Sequence, residues 1–255
     1  MICADYCTNP PIINRHFVTL SEVSCYKWHR HDQRNCLDTY ELLNSIDKPV
    51  MLTVSLNQDD SSYPAALRSY LGKDVPSSIS ALGNLDILNQ SKLAIFCSAE
   101  CPPQLSLQTH DLIQTALTPS VTVISGFHSP GERECLRTLL RGNQSIIICP
   151  ARSLTKMRIQ TEYKKPLEKG RLLFLSFFRS HRHRSDIHMA LSRNRFVAAM
   201  ADKILFLHAS PASKTEGFCA EILGWKKPLF TLASDLNQNL IALGAKPLNA
   251  KELGN

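Results

Sequence analysis

Residues 192–230, SRNRFVAAMADKILFLHASPASKTEGFCAEILGWKKPLF, decide the fold. They read as a helix, a strand from Lys203 to Ala209, a polar loop, a second helix and the start of another strand. A strand that is apolar throughout is covered on both faces, and helices on either side of it mark a parallel α/β sheet. Arg193 and Arg195 stand in the first helix, and Ser213 with Glu216 has capping-box spacing at the start of the second. Two features suited to anions therefore flank one strand, at the place where such sheets take phosphorylated ligands.

The same alternation extends back to Lys92. Apolar runs recur at Leu93 to Cys97, Val121 to Ile124, Ile146 to Cys149, Leu172 to Phe178, Ile204 to Leu207 and Pro228 to Leu232. Helical segments are predicted between them at Gln104 to Leu117, Pro130 to Leu140, Glu162 to Lys169, Asp186 to Met200 and Thr215 to Gly224. The expected fold class is α/β: a doubly wound, Rossmann-like parallel sheet with helices on both faces. Upstream, Lys48 to Leu56 reads as a strand and Ala65 to Tyr70 as a short helix. The stretch from Tyr63 to Leu88, punctuated by Pro64, Gly72, Pro76 and Gly83, reads as a lead-in. Residues 1–62 are taken as a partly irregular N-terminal segment and residues 63–255 as the Rossmann-like domain.

A chain of 255 residues, 44% hydrophobic and 20% charged, has the composition of a globular protein with a substantial core. Neither a membrane span nor a secretory leader is indicated, so a cytoplasmic protein is expected. Nine cysteines without a leader point to reduced thiols. Cys3, Cys7, Cys25, His29, His31 and Cys36 gather near the amino end, but their spacings match no zinc-binding pair of pairs, and no metal is assigned.

The net charge of +7 is localised. Residues 151–195 hold twelve Lys or Arg against three acidic residues, whereas the rest of the chain has 17 basic and 19 acidic residues. The positive field thus belongs to one contiguous region, and an anionic partner such as nucleic acid is the first expectation.

Ligands of such a sheet sit outside the carboxyl ends of the strands, so the turns there supply the candidates. Ser98 follows the first regular strand and offers a cap or a hydroxyl for phosphate. Ser125, Gly126, Phe127 and His128 follow the next, with Gly126 opening the backbone to a phosphate and the two rings available to stack on bases. Ser129, Pro130 and Glu132 form a capping box with proline at the first helical position. Arg182 and Arg184 lead into the helix carrying Arg193, Asn194 and Arg195. Asn194 falls on the apolar stripe of that helix and is expected to bond backbone, with the two arginines reaching phosphates from either side. Ser213, Lys214 and Thr215 complete the set, and Glu221, one turn into the following helix, reads as a solvated helix glutamate or as a candidate catalytic carboxylate. GxGxxG, Walker A, HExxH and GxSxG patterns are all missing, no nucleophile, base and orienter are assembled, and no catalytic residue or cofactor is assigned.

Residues from about Tyr63 to Leu248 resemble the Rossmann-like domain of the DNA-processing protein A (DprA/Smf) family, within a superfamily that includes the LOG-type nucleotide hydrolases. The likeness is carried by Tyr63-Pro64, Gly83-Asn84-Leu85, Ser125-Gly126, Leu175-Ser176, Ser192-Arg193-Asn194-Arg195 with Val197 to Asp202, Ser213-Lys214-Thr215, Gly224, Lys226-Lys227-Pro228 and Asn239-Leu240-Ile241 with Gly244-Ala245. The resemblance implies single-stranded DNA binding at the basic rim, self-association as a dimer, and delivery of DNA to a RecA-type recombinase during uptake of foreign DNA. Arg193, Asn194 and Arg195 match the family's basic helix start, and Ser125 and Gly126 its glycine-containing turn. The chain departs from the pattern at Cys97-Ser98-Ala99, where the family has Gly-Ser-Arg, and at SGFHSPGE, where it has an SGLARGID-like turn. No winged helix is expected beyond Asn255. Two other readings stand beside DNA binding. One is a LOG-like phosphoribohydrolase with Arg195 on a phosphate and Glu221 on the ribose, although paired glycines are missing before Thr215. The other is a sensor that binds a nucleotide without turning it over.

Overall fold

Each apolar run read as a strand becomes one in the computed structural model, which describes residues 53–115, 118, 120–179 and 187–248. The strands are β1 (Val54–Asn57), β2 (Ser78–Gly83), β3 (Ser91–Cys97), β4 (Val121–Ser125), β5 (Ile146–Ile148), β6 (Leu172–Ser176), β7 (Lys203–His208), β8 (Leu229–Leu232) and β9 (Lys246–Leu248). They form one sheet in the order β1-β2-β6-β5-β4-β3-β7-β8-β9. From β6 to β9 all neighbours run parallel, while β2 pairs antiparallel with β6 and β1 antiparallel with β2. The doubly wound sheet expected from the sequence is therefore present, extended at one edge by an antiparallel pair. β1 brings residues 54–57, upstream of the boundary read at residue 63, into this sheet, and the compact unit spans Thr53–Asn255. The amino-terminal cysteines and histidines, Arg182 and Arg184 lie outside the described residues.

The helices are α1 (Ala66–Leu71), α2 (Pro103–Thr115), α3 (Pro130–Arg141), α4 (Thr161–Glu168), α5 (Ile187–Met200), α6 (Lys214–Leu223) and α7 (Gln238–Leu243). Along β3 the side chains alternate between the faces. Ala94 and Phe96 join the core cluster with Phe196, Val197, Phe218 and Ile222 from α5 and α6, and the Phe96 ring lies 5.3 Å from that of Phe206 and 5.1 Å from that of Phe218. Cys97 turns the other way, towards α2 and α3, which pack side by side. No helix among the described residues is long and apolar enough to cross a membrane.

Helix ends are fastened by specific side chains. Ser129 and Glu132 form the reciprocal capping box at the start of α3, as their spacing predicts. Arg171 holds the other end of α3, donating to the carbonyls of Leu139, Leu140 and Gln144. Lys227 closes α5, its Nζ donating to the carbonyls of Ala198, Ala199 and Ala201 at 2.9, 2.7 and 2.5 Å. That ammonium also lies 3.9 Å from the centre of the Tyr70 ring, which stacks on Trp225.

Candidate nucleic-acid interface

Between β6 and β7 the chain crosses from one half of the sheet to the other, and α5 makes that crossing in contact with β3 and β4. The crossing carries Arg193 inward. Its side chain is buried, with Nε donating to Asn194 Oδ1 at 2.8 Å and Nη1 to the Cys149 carbonyl at 3.3 Å. A β-carbon on Gly126 would lie 1.3 Å from Arg193 Nη1, so the guanidinium occupies the space that the glycine leaves. Glu132 is the counter-charge. Also buried, it accepts the backbone N–H groups of Cys97, His128 and Ser129 at 3.1, 2.8 and 3.4 Å. Burial pushes its carboxyl up while Arg193 opposes the shift, and burial lowers Arg193 while Glu132 opposes it. The two charges act on each other across the interior, while backbone N–H groups satisfy Glu132 and Asn194 and the Cys149 carbonyl satisfy Arg193.

Above this pair Gly126, His128, Pro150, Ala151, Arg152, Ala190 and Arg193 enclose a cleft of about 550 Å³ of open space. His128 and Arg152 are exposed on its rim. The backbone at Arg152 is fixed by Ser176, whose hydroxyl donates to the Arg152 carbonyl at 2.6 Å. Lys156 and Arg158 project from the same β5–α4 loop into solvent.

The other residues singled out in the sequence are placed elsewhere, and four expectations are corrected. Phe127 is only 6% exposed and has a φ of 48°, so its ring is folded into the protein and offers no face to a base; His128 alone keeps that role. Ser125 is fully buried, its hydroxyl donating to the Ile95 carbonyl and accepting the Phe127 N–H, which leaves it no reach to a phosphate. Asn194 bonds the Arg193 side chain rather than backbone, because the arginine beside it also turns inward. Arg195 points away from the cleft and makes a two-pronged pair with Glu221, Nε to Oε1 at 2.6 Å and Nη2 to Oε2 at 2.8 Å. Two residues on one helix are separated by about 200°, so Arg193 and Arg195 cannot grip one site. The same pair occupies both oxygens of Glu221.

Ser98 spans two strand-end turns instead of capping α2: its Oγ accepts the Ser210 N–H at 3.2 Å and lies 3.4 Å from Ser213 Oγ. Ser213 caps α6 by accepting the Glu216 N–H at 3.2 Å. The Glu216 carboxylate returns to the Ala212 N–H and to Asn239 Nδ2 rather than to Ser213, so a negative charge lies across the turn that carries Lys214 and Thr215. None of Ser98, Ser213, Lys214 and Thr215 lines the cleft.

The cleft includes residues that the sequence reading passed over. Pro150, Ala151 and Arg152 follow β5 in Ile-Ile-Ile-Cys-Pro-Ala-Arg, a strand-end turn with the same claim to a ligand as the others. Glu132 reads in the sequence as a cap, and nothing local reveals that the charge of Arg193, sixty-one residues later, acts on it.

With this geometry in place the chain can be set beside known proteins. Two solved structures share its fold. The X-ray structure of DNA processing protein A from Streptococcus pneumoniae matches with a TM-score of 0.66 at 20% identity, covering 84% of this chain and 76% of that one. The DNA processing protein A of Helicobacter pylori, described for its single-stranded DNA binding mode, matches with a TM-score of 0.64 at 21% identity, covering 80% of this chain and 94% of that one. No curated protein matches the chain. The family profile for DNA recombination-mediator protein A matches residues 55–252. That span takes in the whole sheet and the cleft, and the chain belongs to the DNA recombination-mediator protein A family.

Proposed function

We propose that this protein binds single-stranded DNA along the carboxyl ends of β4 and β5, through the cleft and the β5–α4 loop, and hands it to a recombinase of the RecA type as a homodimer. The observation that carries the reading is the buried Arg193 guanidinium laid against Gly126 at the floor of an open cleft rimmed by Arg152 and His128. A phosphate entering there meets a positive charge that cannot swing away, a backbone without a side chain in front of it, and a ring for an adjacent base. The binding of single-stranded DNA by the Helicobacter pylori relative supports the choice of partner.

The test is fluorescence anisotropy with a labelled single-stranded oligonucleotide, comparing the protein with an Arg152→Ala/Lys156→Ala/Arg158→Ala variant. All three side chains are exposed, so the variant keeps the fold. Replacing three phosphate contacts is expected to weaken binding by about tenfold to a hundredfold at moderate salt. Equal affinity of the two proteins overturns the site, and no binding at low salt overturns the function. Sedimentation equilibrium, with and without a RecA-type recombinase, tests the dimer and the hand-over.

A further inference from the structure

On the face of the sheet opposite α5, three cysteines meet. Cys97 ends β3, Cys101 lies two residues before the start of α2, and Cys135 lies in α3. Gly131, in the first turn of α3, makes the meeting feasible: a β-carbon there would lie 2.9 Å from Cys97 Sγ and 3.6 Å from Cys101 Cβ. In the space it leaves, the Cys97 and Cys101 side chains pack together, and the Cys101 thiol donates to the Pro102 carbonyl at 3.8 Å. Cys97 and Cys135 are buried, whereas Cys101 is partly exposed beside a small cavity lined also by Ser106, His110, Glu134 and Cys135. Neither the cleft nor its supporting ion pair uses these thiols.

We propose that Cys97 and Cys101 form a reversible disulfide, with Cys101 oxidised by a hydroperoxide and Cys97 as the thiol that resolves it. The Cys101 thiolate attacks the outer oxygen of the hydroperoxide, the O–O bond breaks, and the departing oxygen leaves as water or an alcohol. Cys101 is then a sulfenic acid. The Cys97 sulfur displaces hydroxide from it, the S–S bond forms, and the Cys97 proton joins the hydroxide as a second water. Two thiols are oxidised by two electrons and one peroxide is reduced.

The surroundings divide the roles between the sulfurs. Cys101 is lowered to about 7 by the neighbouring Cys97 and Ser106 side chains, against its partial burial. It is therefore roughly half thiolate at neutral pH. Cys97 is pushed up, first by the neighbouring Cys101 thiol, then by burial and by the charges of Glu132 and Cys135, and so stays a thiol until Cys101 is oxidised. Cys135 is pushed up by burial and by Glu132, and it is more buried than Cys101. The ionisable groups around Cys101 are Cys97 on β3, His110 on α2, and Glu132, Glu134 and Cys135 on α3.

The experiment treats the reduced full chain with hydrogen peroxide at pH 7, blocks free thiols and maps tryptic peptides by mass. Cys97 and Cys101 fall in one peptide, between Lys92 and Arg133, and Cys135 falls in the next. The expected result is loss of two hydrogens from the first peptide, restored by dithiothreitol. In Cys97→Ser the reaction should stop at a Cys101 sulfenic acid that dimedone captures, and alkylation of Cys101 should be half-maximal near pH 7. A cross-link between the two peptides, a first peptide that keeps both thiols, or the same two-hydrogen loss in Cys101→Ser overturns the proposal. The readout is the bond itself, so failure here leaves the DNA-binding reading intact.

Discussion

At Gly126 the missing side chain decides what Arg193 can do. The guanidinium lies where a methyl group would be, so Gly126→Ala should push it out of the cleft floor. The expected outcome is a loss of single-stranded DNA affinity of about tenfold or more, with a stability cost of about 1–3 kcal/mol from overpacking. Oligonucleotide titration together with urea unfolding checks both halves. Replacing the arginine itself should be harsher. Arg193→Met removes the bonds to Asn194 and the Cys149 carbonyl and the charge that opposes the effect of burial on Glu132, and a loss of about 3 kcal/mol is expected. Adding Glu132→Gln should recover part of it, and the double-mutant cycle measured by urea unfolding yields the coupling directly. A recovery of nothing would show that the two charges do not face each other. The sequence exposed the residue types here but not their directions. Arg193 and Arg195 look equivalent in SRNR, and which of them enters the sheet depends on the face of α5 that packs down. Phe127 looked like a stacking ring because its positive φ, which turns it inward, has no marker in the sequence.

Elements are easier to read than directions, because a strand covered on both faces must be apolar and a cap must sit beside the helix that it closes. The parallel strands and the helices between them came out within a few residues of where the periodicity puts them, and the Ser129 and Glu132 cap is visible in its spacing alone. The strands that escaped are β2 and β9. In β2, Ser-Ile-Ser-Ala-Leu-Gly is short and polar on one side, and it is held by pairing to β6, nearly a hundred residues away. In β9, Lys-Pro-Leu is an edge strand of three residues. Tertiary pairing supplies what local pattern does not. The end of α5 is another long-range arrangement. The three carbonyls of Ala198, Ala199 and Ala201 depend on one ammonium from Lys227, so Lys227→Met should destabilise the protein by about 1–3 kcal/mol. Hydrogen exchange should accelerate first at the last turn of α5, and uniform acceleration across the sheet would contradict this capping role.

Across the whole molecule the charge is distributed more sharply than the composition suggests. Of the basic residues in the 151–195 region, Arg171, Arg193 and Arg195 are committed to helix carbonyls, to Asn194 with the Cys149 carbonyl, and to Glu221, while Arg179 donates to the hydroxyls of Ser77 and Ser78. Arg152, Lys156 and Arg158 remain on one exposed loop beside the cleft. If these three neutralise phosphates, the slope of log affinity against log salt for single-stranded DNA should fall by about 2 units when all three become alanine. An unchanged slope would place the phosphate contacts on another surface. At this scale the motif positions that carry the likeness are spread over the sheet and its helices: Gly83, Ser125 and Ser176 end strands, Ser213 caps α6, Ser192 to Arg195 lie within α5, and Gly224 and Gly244 follow α6 and α7.

The antiparallel pairing of β2 with β6 also bears on how the chain is made. The β1–β2 hairpin leaves the ribosome first, yet the strand that completes its pairing follows about ninety residues later. At a synthesis rate of about 5–20 residues per second, the hairpin waits roughly 5–20 s with one edge open. During that interval the unpaired edge of β2 is open to wrong pairing, which is the hazard a chaperone would suppress.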